Sequence, residues 1–162
     1  MNTPDDVEPA PHVRDDQTIP NSEVLYRRLS DPGSSMVAVD QVTGVRRPSS
    51  GAFKPDADGV SVYRCGLLEQ DGLGPEALIT APQNLVVGVV GVVGVVGVDV
   101  GDVRSIGLGA WNDPWPADVP DPEHPRNAAH ALITGLEHLG KKARLRRQQA
   151  LVALPPLDFV IG

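Results

Sequence analysis

Asp56-Ala57-Asp58-Gly59-Val60-Ser61-Val62-Tyr63-Arg64 reads as a tight turn running into a strand, and this stretch decides the fold. The Asp/Gly run is strong turn chemistry, and the residues after it alternate as a half-buried strand does. Working back toward the N-terminus, Val24-Leu25-Tyr26-Arg27-Arg28-Leu29 is rich in β-forming residues and is stopped by Asp31-Pro32-Gly33. Met36-Val37-Ala38-Val39 supplies another short strand. Arg46-Arg47-Pro48-Ser49-Ser50-Gly51 has the composition of a loop. Short strands separated by turns predict an antiparallel, β-rich first half.

Working forward, residues 76–85 can hold a short helix interrupted by Pro82. Val-Val-Gly then repeats four times across 86–97. A period of three matches neither a strand nor a helix, so the repeat reads as an enlarged core strand or hairpin with slack register. An aggregation-prone, self-associating element is the alternative. Val103–Leu108 reads as a strand or the edge of a helix. Residues 109–126 read as a loop, with prolines at 114, 116, 120, 122 and 125 and with Trp111 and Trp115 packing it down. Ala129–Ile133 is expected as a short buried strand, followed by a helix from Leu136 to about Val152 that Pro155-Pro156 ends. Leu157–Ile161 adds an edge strand. The expected fold is α+β: a mostly antiparallel sheet of about five strands with one basic C-terminal helix packed on it.

The chain has 162 residues, enough for one domain plus a tail. Residues 1–20 carry four prolines and five acidic side chains, and are expected to be a disordered tail ahead of a single globular domain at 21–162. With 17 glycines and 16 prolines, a bundle of long helices is excluded. The single cysteine, Cys65, permits neither an intramolecular disulfide nor a structural zinc site. The acidic N-terminus does not resemble a signal peptide, so a soluble cytoplasmic protein is expected. The longest uncharged apolar run, 85–98, is too short to span a membrane. The net charge of −7 disfavours a general nucleic-acid binder. The basic cluster Lys141, Lys142, Arg144, Arg146 and Arg147 spreads around a helix, so it reads as a solvated face.

Familiar motifs are absent. No phosphate-binding loop or dinucleotide fingerprint occurs, and no metal or cofactor is expected. Asp56 and Asp58 start like a calcium loop, but Leu67 occupies the position of its bidentate glutamate. Three features could carry chemistry. Arg27 and Arg28 lie on opposite faces of one apolar strand, so one must be poorly solvated and is expected to hold a carboxylate or an anionic ligand. Ser50, in the Ser49-Ser50-Gly51 turn, could orient that anion. His130, among alanines and leucines, could act as a general base or be a core histidine bonded to a carbonyl.

Leu25-Tyr26-Arg27-Arg28, Ser49-Ser50-Gly51-Ala52-Phe53, Ser61-Val62-Tyr63-Arg64 and Ala129-His130-Ala131-Leu132-Ile133 occur in this order ahead of a basic helix. That order resembles a group of small bacterial proteins, mainly actinobacterial, and the resemblance implies no established activity. An early strand arginine followed by a serine loop is also distantly similar to ADP-ribosyltransferases. These enzymes also use a late glutamate, whereas here Glu123 falls in the proline loop and Glu137 on the helix.

Two readings follow. The favoured one is a non-catalytic binding or regulatory protein with another protein as partner, Arg28 and His130 being structural. The alternative is an enzyme or effector acting on a nucleotide or RNA phosphate, with Arg28 and Arg27 as anion-binding candidates and Ser50 and His130 as catalytic ones. Convergence of these side chains on one accessible place discriminates the two.

Overall fold

A computed structural model describes residues 13–29, 36–70, 72–76, 78, 94–114, 129–154 and 158–161. Its strands are β1 (Val24–Leu29), β2 (Val37–Val39), β3 (Arg46–Pro48), β4 (Val60–Arg64), β5 (Gly94–Asp99), β6 (Gly109–Asn112), β7 (His130–Thr134) and β8 (Asp158–Ile161). Six of them form one sheet in the order β6-β7-β4-β1-β5-β8, every neighbouring pair antiparallel. β2 and β3 form a separate hairpin. Among the described residues the helices are α1 (Cys65–Gln70), α2 (Val100–Ser105) and α3 (Lys141–Ala153), with 3-10 turns at Ser50–Phe53 and Leu136–His138. The fold is α+β, a mostly antiparallel sheet with a C-terminal helix.

Period-two alternation sorts the sheet into two unlike faces. Leu25 and Leu29 of β1, Val60 and Val62 of β4, Val96 and Val98 of β5, Ala110 of β6 and Ala131 and Ile133 of β7 are all buried. They share the larger core with Ile19, Phe53, Leu136 and Leu151. The 3-10 turn at Ser50–Phe53 and α3 lie against this face, and Gln148 Nε2 of α3 donates to the Ser50 carbonyl at 2.8 Å. The opposite face has a smaller cluster of Tyr63, Leu68, Leu78, Val95 and Ala129, with Tyr26, Leu67 and Leu73 packed against it. The turn before β4 depends on Gly59, whose φ of +132° favours glycine.

Several expectations need correction. Ordered structure begins by Val13: Ile19 is fully buried, and Arg104 on α2 binds Asp15, Asn21 and the carbonyls of Asp16 and Ile19. A buried isoleucine and a half-buried arginine fork bonded to the segment therefore outweigh the acidic composition of 13–20. Residues 1–12 lie outside the described residues. Arg46–Pro48 is a strand, paired with Val37–Val39. Residues 109–112, expected as the start of a loop, form an outer strand whose Ala110 carbonyl accepts from the Asp16 amide at 2.7 Å. The α3 helix begins at Lys141 rather than Leu136. Gly135, with φ of +114°, and an extended Leu139 confine 136–138 to a 3-10 turn. Residues 94–97 of the Val-Val-Gly repeat belong to β5, which pairs with β1 and β8. The rest of the repeat, the expected helix after Leu78, Trp115 and most of the proline-rich segment lie outside the described residues.

Candidate functional site

On the face with the smaller core, β1, β4, β7 and the residue after β6 bring six polar or aromatic side chains together. Tyr26 pairs with Tyr63, and Tyr63 pairs with His130, so these three are level across β1, β4 and β7. Arg28 lies two residues beyond Tyr26 on β1 and Ser61 two residues before Tyr63 on β4, so alternation puts both on this same face. Asp113 follows β6 immediately, beside His130.

The hydrogen bonds of His130 fix its tautomer. Nδ1 lies 2.8 Å from the Asp113 carbonyl, which can only accept, so Nδ1 carries the proton in the neutral ring. The Asp113 carboxylate Oδ2 is also 3.3 Å from Nδ1. Nε2 therefore accepts, and the Ser61 hydroxyl donates to it at 2.5 Å. Burial pushes the imidazole below its ordinary value of 6.5, Asp113 opposes this by hydrogen bonding and charge, and the Arg28 charge adds to the depression. His130 is 4% exposed, yet the Asp113 side chain is 49% exposed and Ser61 is partly exposed. The imidazole is thus sealed while both of its neighbours reach solvent.

The Arg28 guanidinium lies over the Tyr63 ring at 5.2 Å, and that ring meets His130 edge-on at 5.5 Å between centroids. One aromatic ring therefore spans the distance from cation to imidazole. Arg28 Nη1 and the Tyr63 hydroxyl are both buried without a hydrogen-bond partner, the only such side-chain atoms among the described residues. Each such atom costs about 1–3 kcal/mol, so two on neighbouring side chains stand out against polar groups that are otherwise bonded.

Arg27 points the other way. Its Nε and Nη1 donate to the carbonyls of Ala52 and Ser61, both at 2.9 Å. Burial pushes its pKa down to about 10. The carboxylate or ligand expected beside the poorly solvated arginine is replaced here by two main-chain carbonyls, so Arg27 is structural. Ser50 belongs with α3, on the larger-core side of the sheet, away from Arg28 and His130. Of the four residues singled out from the sequence, the structure brings Arg28 and His130 together and leaves Arg27 and Ser50 elsewhere.

Ser61, Tyr63 and Asp113 were missed. Alternation along Val60–Arg64 puts Ser61 and Tyr63 on one face, which was a usable signal. Their partner His130 lies 69 residues from Ser61 and becomes visible only with the β4–β7 register.

Other polar groups are accounted for. The carboxylate-paired arginine is Arg64, held by both oxygens of Glu23 at 2.6 and 2.9 Å and donating to Asn112, which in turn donates to Asp16. Burial pushes the Cys65 thiol up, which disfavours a reactive thiolate and outweighs the opposing hydrogen bond that its sulfur accepts from the Val24 amide at 3.4 Å. In the basic cluster Lys141, Lys142 and Arg146 are exposed but Arg147 is buried. Among the described residues, no three His, Cys, Asp or Glu side chains are grouped to hold a metal ion, and no helix is long and apolar enough to cross a membrane. No protein-family model, curated protein or solved structure matches the chain.

Proposed function

We propose that this protein binds a small anionic ligand, a carboxylate or a phosphate, on the sheet face where Arg28 and Tyr63 converge. The observation that carries the reading is the pair of buried, unpartnered donors, Arg28 Nη1 and the Tyr63 hydroxyl, on two side chains in contact. An anion accepting from both would satisfy them and meet the positive charge of Arg28 in a site that is partly out of water, where charge-assisted bonds are strong. Binding alone suffices for a regulatory role. Catalysis is the second reading, favoured by the hydrogen-bonded order Ser61, His130, Asp113 beside the same arginine.

Thermal unfolding in increasing sodium phosphate or sodium acetate, at constant ionic strength kept with chloride, tests the binding. A ligand at tenfold its Kd stabilises by ~1.4 kcal/mol, which moves Tm by about 4 °C for a domain of this size. The shift is expected to saturate in at least one of the two anions and to vanish in Arg28→Gln. An equal shift in wild type and Arg28→Gln, or none in either anion, overturns the proposal.

A further inference from the structure

The same face carries more than an anion cradle. A serine hydroxyl donates to Nε2 of a histidine whose Nδ1–H is held by an acidic residue, and Arg28, on the same face and over the Tyr63 ring, carries an Nη1 with no hydrogen-bond partner. We infer that Ser61 is a nucleophile for acyl transfer, with His130 as its base, Asp113 as the residue that positions the base and Arg28 as the donor for the oxyanion. The substrate class is a carboxylic ester of a small acid. This rests on the anion-site reading, because the carboxylate product is the anion that Arg28 would hold.

Geometry supports each role. A base must already share a hydrogen bond with the proton it removes, and the Ser61 hydroxyl is 2.5 Å from Nε2. The base needs the correct tautomer, and the Asp113 carbonyl at 2.8 Å imposes it. The imidazolium formed on attack needs a counter-charge, and the Asp113 carboxylate lies 3.3 Å from Nδ1. The oxyanion needs a donor not already engaged, and Arg28 Nη1 is one. A neutral imidazole is needed at physiological pH, and burial favours that form. Substrate must reach the nucleophile, and Ser61 is partly exposed whereas His130 is not.

The steps balance. Ser61 Oγ bonds to the ester carbonyl carbon as its proton passes to His130 Nε2, and the carbonyl π pair moves onto oxygen, facing Arg28. Collapse of that oxyanion breaks the bond to the alkoxy oxygen, which takes the proton from Nε2 and leaves as the alcohol. Water then attacks the acyl-Ser61 ester, gives its proton to Nε2, and releases the carboxylic acid as Oγ recovers a proton from His130. One ester and one water become one acid and one alcohol.

A fluorophosphonate probe tests this, since an activated serine displaces its fluoride and keeps the phosphonyl group. Labelling is read by intact mass and the site by peptide mapping, so the wild-type result needs no variant. One label at Ser61 is expected, its rate falling as pH drops through the lowered pKa of His130 and falling about 100-fold or more in His130→Gln. Arg28→Gln is expected to slow labelling about 100-fold. p-Nitrophenyl acetate hydrolysis is expected to follow the same pattern and to be lost in Ser61→Ala. Circular dichroism checks that each variant is folded. No label on folded wild type, a label elsewhere, or an unchanged rate in folded His130→Gln overturns the inference. The two readings fail separately. Anion-dependent stabilisation in Ser61→Ala without wild-type labelling leaves binding standing and removes catalysis. Ser61 labelling without any Arg28-dependent anion effect removes the binding site instead.

Discussion

Arg27 and Arg28 are adjacent in one strand, yet only the replacement of Arg27 by methionine is expected to destabilise the fold. Methionine keeps most of the apolar stem and removes the guanidinium. For Arg27 the loss is two charge-assisted hydrogen bonds to main-chain carbonyls, each contributing about 1.5–3 kcal/mol. Against this, the fall of its pKa from 12.5 to about 10 puts the burial penalty on the charged form at about 3 kcal/mol, which methionine does not carry. The remainder is a destabilisation of about 0–3 kcal/mol, centred on roughly 1.5 kcal/mol. For Arg28 the balance differs. Methionine relieves a buried donor with no partner, a cost of about 1–3 kcal/mol, and gives up a cation–π contact contributing about 0.5–1 kcal/mol. Arg28→Met is expected to be neutral or to stabilise by about 1 kcal/mol. Urea unfolding at pH 7, followed by circular dichroism and compared at equal m-values, measures both. An Arg28→Met destabilisation of more than about 1 kcal/mol, or an Arg27→Met that costs nothing, would refute this balance.

Three further outcomes are expected. Because the His130 pKa in the folded protein lies below the ordinary 6.5, the native state binds fewer protons there than the unfolded chain does; its contribution is fully present above pH 6.5 and is lost as pH falls through the folded pKa. Urea midpoints between pH 8 and pH 5 should show that acidic decline in wild type and a weaker one in His130→Gln, and equal slopes would refute it. Gly59→Ala puts a Cβ at φ of +132° and 2.6 Å from the Ile133 carbonyl oxygen, so a destabilisation of about 3 kcal/mol is expected by chemical unfolding, with an unchanged midpoint as the contrary result. Glu23→Gln leaves Arg64 without its charge partner at a site where the two side chains are 14% and 7% exposed; a loss of about 2–3 kcal/mol should appear in the same assay, and a loss under 0.5 kcal/mol would show that the pair is merely incidental.

The sequence was most legible where alternation and turn chemistry agreed. Asp56–Gly59 ahead of Val60–Arg64, and the run Val24–Leu29, became β4 and β1 because their patterns match the pleat they occupy. It was least legible where a long-range partner overrode local composition. Asp15, Asp16 and Pro20 look like tail, but Arg104 holds that segment from 83 to 89 residues away. The Val-Val-Gly repeat shows a different difficulty. With an odd period, successive glycines fall on opposite faces of a strand, Gly94 opposite Leu29 and Gly97 opposite Tyr26. At Gly97 a Cβ would lie 2.9 Å from Val24 and 3.1 Å from the Tyr26 ring, so this glycine is required where it stands. Residues 88–93 repeat the sequence of 94–99 except that Val93 corresponds to Asp99, so a six-residue slip preserves both letters and faces. Composition offers almost nothing to choose the register, and the choice rests on Asp99 and the helix after it.

The site was half legible for the same reason. Arg28 and His130 stood out as charged or titratable groups in apolar surroundings, while Ser61 and Tyr63 looked like ordinary strand residues. Along β4, the even positions Val60 and Val62 build the core and the odd positions Ser61 and Tyr63 build the site. A slip of one residue would exchange the two sets, so the register must be held tightly. Arg27 contributes to that hold. Its Nη1 donates to the carbonyl of Ser61, and its Nε to Ala52 on the 3-10 turn, tying β1, β4 and the α3 side of the molecule at the residue whose side chain faces His130. The structural arginine therefore serves the site from behind: it fixes the backbone of Ser61 while its neighbour Arg28 waits on the other face. A substitution at Arg27 should consequently loosen the Ser61–His130 pair as well as the fold, and loss of anion binding in folded Arg27→Met would be read as displacement of Ser61 and Arg28 rather than as loss of a direct contact.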